Sequence, residues 1–349
     1  MIAVRLHGPR DLRLDTISGL EGARTGEVVL RVAATGICGS DLHTYNQARI
    51  GDTVVARPLI LGHEFSGIVE ECGPGAVDNL GAPLREGMLV AVDPATPCGV
   101  CDSCRHGDEH LCTALHFCGL SPDDGSLTER MLVRSRNCFS LPASLDAVEG
   151  AMLEPFGVAL HAVRLGKITA GKSAAVIGAG PIGLLIIQLL IRKGIVVHVS
   201  EPLSWRRNLA VRFGALPIGI TNEPTEELVA ATKGCGVDVV FEAAWADSTV
   251  QEALSMARPG GRVVLVGIPE DDRIEIPHSV GRRKGLTLLF SRRMHRTYPD
   301  AIALVESHAI DVHALVSHRI PLRNTPEAFA LNAHYEPGVL KVMIDHLSA

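Results

Sequence analysis

Two sets of residues in this chain could do chemistry, and they differ in how they are arranged. Cys98, Cys101, Cys104 and Cys112 crowd into one stretch, "CGVCDSCRHGDEHLC", with the spacing C-x2-C-x2-C-x7-C. Four thiolates complete a tetrahedral zinc shell and leave no position for substrate or water, so the spacing predicts a structural zinc lobe at 94–114. The second set is scattered: Cys38 in "GICGSDLH", His63 and Glu64 in "LGHEFSG", and Glu154 in "MLEPFGVALHA". A thiolate, an imidazole and a carboxylate make the mixed, incomplete shell that a catalytic zinc needs. Taken singly, each has an ordinary reading: Cys38 a small core residue, His63 a hydrogen-bonded loop residue, the two glutamates surface or capping carboxylates. Adjacent residues of an extended segment point to opposite faces, so His63 and Glu64 can share a metal only where the chain turns. His63 is the firm ligand of this set, with either Glu64 or Glu154 as the labile one. Cys72, Cys118, Cys138 and Cys235 read as packing residues.

A third pattern concerns a nucleotide. "VIGAGPIG" sets Gly178, Gly180 and Gly183 in a G-x-G-x-x-G frame, after an apolar run at 173–177 and before a helical stretch from Pro181 to about Lys193. The first Gly allows a tight turn, the second lets backbone N–H groups approach a pyrophosphate, and the third lets the helix pack closely on the strand. Pro181 suits the first helical turn, where an N–H has no partner to lose, and Ile182 follows it. Glu201 stands about 20 residues on, where a carboxylate accepts from ribose hydroxyls and repels a 2′-phosphate, so NAD is predicted over NADP. Arg206 or Arg207, in "WRR", would attract the phosphate instead. Val266, closing the apolar run "RVVLV", completes the candidate cofactor contacts.

These residues require two kinds of scaffold. Residues 1–145 carry short alternating runs such as "EVVLRVAATG" between Gly and Pro, an all-β signature of a barrel-like domain. From 146 to 290 the runs "SAAVIGAG", "IVVHVSEP", "VDVVFEAA", "RVVLVGIP" and "LTLLF" alternate with helical segments, which predicts an α/β unit with a buried parallel sheet. After 291 a helix candidate, "YPDAIALVES", is followed by strand-like pieces that could rejoin the first domain. A chain of 349 residues with net charge -6 lacks the concentrated basic surface that nucleic acid requires. The apolar run at 176–191 is shorter than the roughly 20 residues of a membrane helix, and the N-terminus has charges among its apolar residues, so the expected location is cytoplasmic. Nine cysteines, odd in number and unevenly spread, favour metal ligation over a disulfide framework.

Taken in order, "GICGSDLH", "GHEFSGIV", the four-cysteine lobe, "LEPFGVALHA" and "VIGAGPIG" resemble the zinc-dependent medium-chain dehydrogenase/reductase family. The resemblance implies a discontinuous GroES-like β-barrel catalytic domain, 1–145 with 291–349, a Rossmann doubly wound domain at 146–290, and a homodimer or homotetramer. Glu154 stands where alcohol dehydrogenases of the family carry a cysteine, so the likeness is to the polyol branch: sorbitol, xylitol and threonine dehydrogenases. It implies a catalytic zinc held by Cys38, His63 and Glu154 with Glu64 near or on the metal, a hydroxyl relay at Ser40, and an imidazole at His43 that passes the proton to solvent. It also puts Arg293 at a substrate hydroxyl, while Met294 replaces an aromatic residue of sorbitol dehydrogenases; Phe117 is a candidate pocket wall. The expected activity is NAD-dependent oxidation of a secondary alcohol in a polyol, sugar-derived compound or cyclitol. An L-threonine 3-dehydrogenase, suggested by "ICGSDLHTYN", and a non-catalytic nucleotide-binding module are the alternatives.

Overall fold

The run "EVVLRVAATG" forms a strand, Glu27–Gly36, with nearly every apolar side chain buried. One edge pairs antiparallel with Glu64–Cys72. The other is shared: Arg130–Arg134 pairs with its first half and Lys341–Asp345 with its last residues, both antiparallel. The sheet therefore runs Cys138–Ser140, Leu89–Val92, Glu64–Cys72, Glu27–Gly36, Lys341–Asp345, Val316–Pro321. Strands from the end of the chain thus complete a sheet begun near its start. A second sheet orders Asp11–Thr16, Ile2–Gly8 and Leu59–Ile60. Val28, Leu30, Phe65, Val69 and Val90 form one core, and Leu6, Leu61, Leu127, Phe329 and Ile344 another.

The computed structural model describes residues 1–220, 223–269, 273–334 and 336–348. The chain divides into two compact units: Met1–Glu154 with Tyr298–Ala349, and Pro155–Thr297. The divisions thus fall at 154/155 and 297/298, where composition puts them at 145/146 and 290/291. The helix Ala147–Gly166 accounts for the first difference. Its opening turn is capped reciprocally by Asp146 and Glu149, and its Ala147 carbonyl accepts from the Ser66 hydroxyl at 2.6 Å, which fastens it to the first unit. The helix then continues through Pro155.

The first unit is not all β. Helices Gly39–Gln47, Tyr298–Glu306 and Thr325–Ala333 belong to it. Gly39–Gln47 carries no apolar 3.6-residue stripe, because it buries Asp41 and Thr44 along with Leu42 and Tyr45. Tyr45 packs on Phe329 with ring centroids 5.4 Å apart, which seats this helix against the C-terminal one.

In the second unit six strands form one parallel sheet, ordered Leu216–Ile218, Val196–Ser200, Ser173–Ile177, Val237–Glu242, Ala257–Leu265, Thr287–Phe290. Numbered within the unit this is 3-2-1-4-5-6, the order of doubly wound dinucleotide-binding sheets, whose switch point lies beside the first strand. No helix among the described residues is long and apolar enough to cross a membrane.

Candidate metal centres and dinucleotide loop

The four-cysteine lobe closes on itself. Its sulfurs lie within 4.8 Å of one another, with Sγ···Sγ separations of 3.5 Å for Cys101–Cys104, 3.9 Å for Cys101–Cys112 and 4.0 Å for Cys98–Cys104. Zinc–sulfur bonds of about 2.3 Å in a tetrahedron put sulfurs about 3.8 Å apart, so this donor set fits zinc. Backbone N–H groups of Cys101 and Cys98 point at Cys98 Sγ (3.4 Å) and Cys112 Sγ (3.3 Å). Backbone N–H groups of Cys104 and Thr113 bring Cys101 down to about 6, while burial and its neighbours push Cys104 up to about 12.

The scattered set also gathers. Ligand atoms of Cys38, His63 and Glu64 lie within 4.8 Å of one another. The turn that this requires is present: Gly62 has φ +96, and the strand begins only at Glu64. His63 therefore sits in the loop and Glu64 on the strand, and both reach the same point. Gly36 lies opposite Glu64 in the sheet, and a Cβ there would collide with the Glu64 carboxylate. Glu154 is buried but is not one of the three; of the two glutamates, Glu64 is the one grouped with Cys38 and His63.

Two further residues, which sequence reading missed, organise this group. Asp41, buried on the first turn of Gly39–Gln47, lies 3.3 Å from His63 Nδ1. It also accepts from the backbone N–H of Cys38 (3.0 Å) and of Gly62 (3.4 Å). Burial alone would raise the Asp41 carboxyl, but His63 and these donors hold it below its usual range. Burial likewise opposes charge on His63, and Asp41 outweighs it and holds the imidazole well above its ordinary value. With Nδ1 tied to Asp41, Nε2 is the nitrogen offered to a metal, the carboxylate–histidine arrangement of zinc sites. The second missed residue is Lys341, on the C-terminal strand. Its Nζ donates to both Glu64 oxygens, at 2.8 and 2.7 Å, and to the Ile37 carbonyl at 2.9 Å.

Ser40 Oγ lies 3.4 Å from His63 Nε2, and His43 follows one turn later on the same helix face. The Phe117 ring packs on the His63 ring with centroids 5.2 Å apart. In the second unit Arg293 has φ 56, a left-handed conformation, and Met294 beside it is buried near Gly157.

The glycine loop follows the strand Ser173–Ile177, and the helix Pro181–Arg192 follows the loop with Pro181 in its first turn. Gly178 has φ +94, and a Cβ there would press on the Ala243 carbonyl oxygen at 2.9 Å. A Cβ on Gly183 would collide with the Gly178 carbonyl, whereas one on Gly180 would meet nothing within 4 Å. The open side of Gly180, at a helix N-terminus, is where a phosphate can approach backbone N–H groups. Glu201 follows the strand Val196–Ser200 directly and accepts from the N–H of Ala179 (2.8 Å) and of Leu203 (2.9 Å), so its carboxylate braces the loop. Each oxygen keeps a lone pair for a ribose hydroxyl. Arg206 stacks over the Trp205 ring at 5.0 Å. Ile182 lies partly exposed in the helix's first turn, and Val266 donates its N–H to the Glu242 carbonyl at 2.8 Å.

Comparisons with known proteins identify the family. Residues 24–143 match the alcohol dehydrogenase GroES-like domain, and residues 181–307 match the zinc-binding dehydrogenase family. Sorbitol dehydrogenase of Macaca fascicularis is 35% identical over 355 residues, covering 98% of this chain and 95% of its own. Among solved structures, 2R,3R-butanediol dehydrogenase from Bacillus subtilis is 30% identical with a TM-score of 0.86, each chain covered to 99%. A zinc-binding dehydrogenase from Sinorhizobium meliloti 1021, bound to NADP, is also 30% identical, with a TM-score of 0.85 and coverage of 99% and 98%. With its zinc lobe, its mixed-ligand cluster and its dinucleotide loop, this chain belongs to the zinc-dependent medium-chain dehydrogenase/reductase family, in the polyol dehydrogenase branch.

Proposed function

We propose that the chain oxidises a secondary alcohol of a polyhydroxy compound to the ketone, with sorbitol-like polyols as the first substrates to try. The observation that carries this reading is the Cys38–His63–Glu64 cluster, a mixed set of one thiolate, one imidazole and one carboxylate. When bound, zinc supplies Lewis-acid polarisation of an alcohol oxygen, and NAD supplies the hydride acceptor. Cys38, His63 and Glu64 hold the metal in this reading, with Glu154 outside its immediate ligands. Asp41 keeps Nδ1 of His63 engaged, so Nε2 faces the metal. The Ser40 hydroxyl, beside that nitrogen, takes the substrate's proton and hands it along the helix to His43, whose imidazole suits exchange with water near neutrality. Phe117, whose ring packs at a tilt on that of His63, walls the substrate side in this reading.

Gly178, Gly180, Pro181, Ile182, Gly183, Glu201 and Val266 bind the dinucleotide, and the Glu201 carboxylate favours NAD by repelling a 2′-phosphate. The Sinorhizobium meliloti relative, solved with NADP, makes this preference worth measuring, with Arg206 as the residue that could reverse it. We place the enzyme in the cytoplasm as a homodimer or homotetramer acting on a small molecule, with no nucleic-acid partner, in keeping with a net charge of -6.

The test is a panel of sorbitol, xylitol, a cyclitol, a sugar acid, butanediol and L-threonine, each with NAD and with NADP, followed by reduced cofactor. Turnover of polyols with NAD is the expected result. Activity with threonine alone would overturn the assignment. His63→Ala should abolish turnover and leave NAD binding intact; undiminished turnover would refute a catalytic zinc at this cluster.

A further inference from the structure

The Lys341–Glu64 pair has a place in the fold that a simple structural ion pair does not need. Lys341 is 3% exposed and Glu64 1%, and they come from strands 277 residues apart that flank the end of Glu27–Gly36. Ordering a long lysine in a dry interior is costly, and such a pair usually stabilises no better than apolar residues of the same volume. Here the ammonium engages both oxygens of a carboxylate that also lies within 4.8 Å of the Cys38 and His63 ligand atoms. Gly36, lacking a Cβ, leaves the space in which that carboxylate sits. The Lys341 ammonium offsets the Glu64 charge in a setting where both side chains are almost wholly buried.

We infer that Lys341 is a positioning residue that competes with the metal for the Glu64 carboxylate, keeping Glu64 a displaceable ligand so that a coordination position can open to the substrate oxygen. The inference rests on Cys38, His63 and Glu64 as the metal-binding set. A carboxylate has about four lone-pair directions, so the ammonium and the metal can hold opposite sides of it. Withdrawing the ammonium leaves the full carboxylate charge to the metal.

The experiment measures transfer of zinc from the purified holoenzyme to a coloured chelator, together with kcat and KM. The catalytic-site phase is the one missing in His63→Ala; if that variant loses no phase, the metal-binding set itself is wrong, independently of Lys341. Lys341→Met is expected to release catalytic zinc more slowly, on the order of tenfold, the scale on which partners of metal ligands act. Its kcat should fall, with KM for NAD unchanged. Lys341→Arg should restore both, and in a Glu64→Gln background Lys341→Met should leave the release rate unaltered. Faster release from Lys341→Met, an unchanged kcat, or the same slowing without the Glu64 carboxylate would each overturn the proposal. Lys341→Gln, which keeps a donor for the Ile37 carbonyl, is read in the same way. If neither neutral variant folds with zinc supplied while Lys341→Arg does, Lys341 is a structural counter-ion and the proposal is wrong.

Discussion

At the scale of single residues, the site depends on side chains that carry no motif of their own. Cys38 and His63 stand out in the sequence as metal-ligand types, but Asp41 is one acid among 39 Asp and Glu. Its role follows from position: on the first turn of a helix whose preceding residue is Cys38, it caps that cysteine's N–H and reaches His63 Nδ1. Asp41→Asn keeps the shape and removes the charge. It should weaken zinc at the Cys38–His63–Glu64 cluster by about 10- to 100-fold, the usual effect of losing a ligand's carboxylate partner, and leave the four-cysteine zinc in place. Competition with a chelator, reading the two sites separately, checks this; equal retention by the variant would count against the orienting role. The nearness of the Glu64 carboxylate to Cys38 and His63 illustrates the limit of reading residues alone. It goes with Gly62 at φ +96 turning the chain between a loop and a strand, a backbone fact that no spacing of glutamates conveys.

At the scale of elements, legibility follows how local the geometry is. The glycine loop reads directly, because turn, strand and helix lie within 20 consecutive positions from Ser173 to Arg192 and each Gly has its own steric reason. Two substitutions separate those reasons. Gly183→Ala drives a methyl into the Gly178 carbonyl and should destabilise the second unit by about 1–3 kcal/mol, as overpacking does. Gly180→Ala meets no protein atom within 4 Å, so its thermal midpoint should stay near wild type while the Kd for NAD rises on the order of tenfold, because the methyl occupies the phosphate's approach. Calorimetry of both variants, free and with NAD, distinguishes them; a destabilised Gly180→Ala or a stable Gly183→Ala would contradict the packing argument. The four-cysteine lobe is equally local, and its test is metal content. Cys104→Ser should cost one zinc per chain and lower the first unit's unfolding midpoint by roughly 5 °C or more, with NAD binding retained. The helix Gly39–Gln47 is the contrary case, since burying Asp41 and Thr44 erases the amphipathic pattern by which helices are recognised.

At the scale of the whole molecule, what the sequence conceals is long-range pairing. The apolar run "LKVMIDHL" announces a strand, but nothing in it says that Lys341–Asp345 will lie beside Glu27–Gly36 and deliver Lys341 to Glu64. The same pairing half-buries His346, whose Nε2 meets the Thr35 hydroxyl at 2.9 Å, so this segment is anchored in the first unit by a polar contact as well as by the sheet. That anchor makes stability depend on pH in a calculable direction. Burial lowers the His346 imidazole from 6.5 to about 4 in the folded chain. Between those values the unfolded chain binds a proton that the folded chain does not, so the contribution is fully present above pH 6.5 and is lost as pH falls towards 4. The full shift corresponds to about 3 kcal/mol. Metal ligands also protonate on acidification, but they do so in wild type and variant alike, so the difference between the two isolates this group. His346→Gln can still bond to the Thr35 hydroxyl and does not titrate. Its denaturation midpoint should therefore fall less steeply than wild type between pH 6.5 and 4, the two profiles converging or crossing at the acid end. Parallel profiles over that window would mean that the folded chain does not hold the His346 imidazole below its unfolded value.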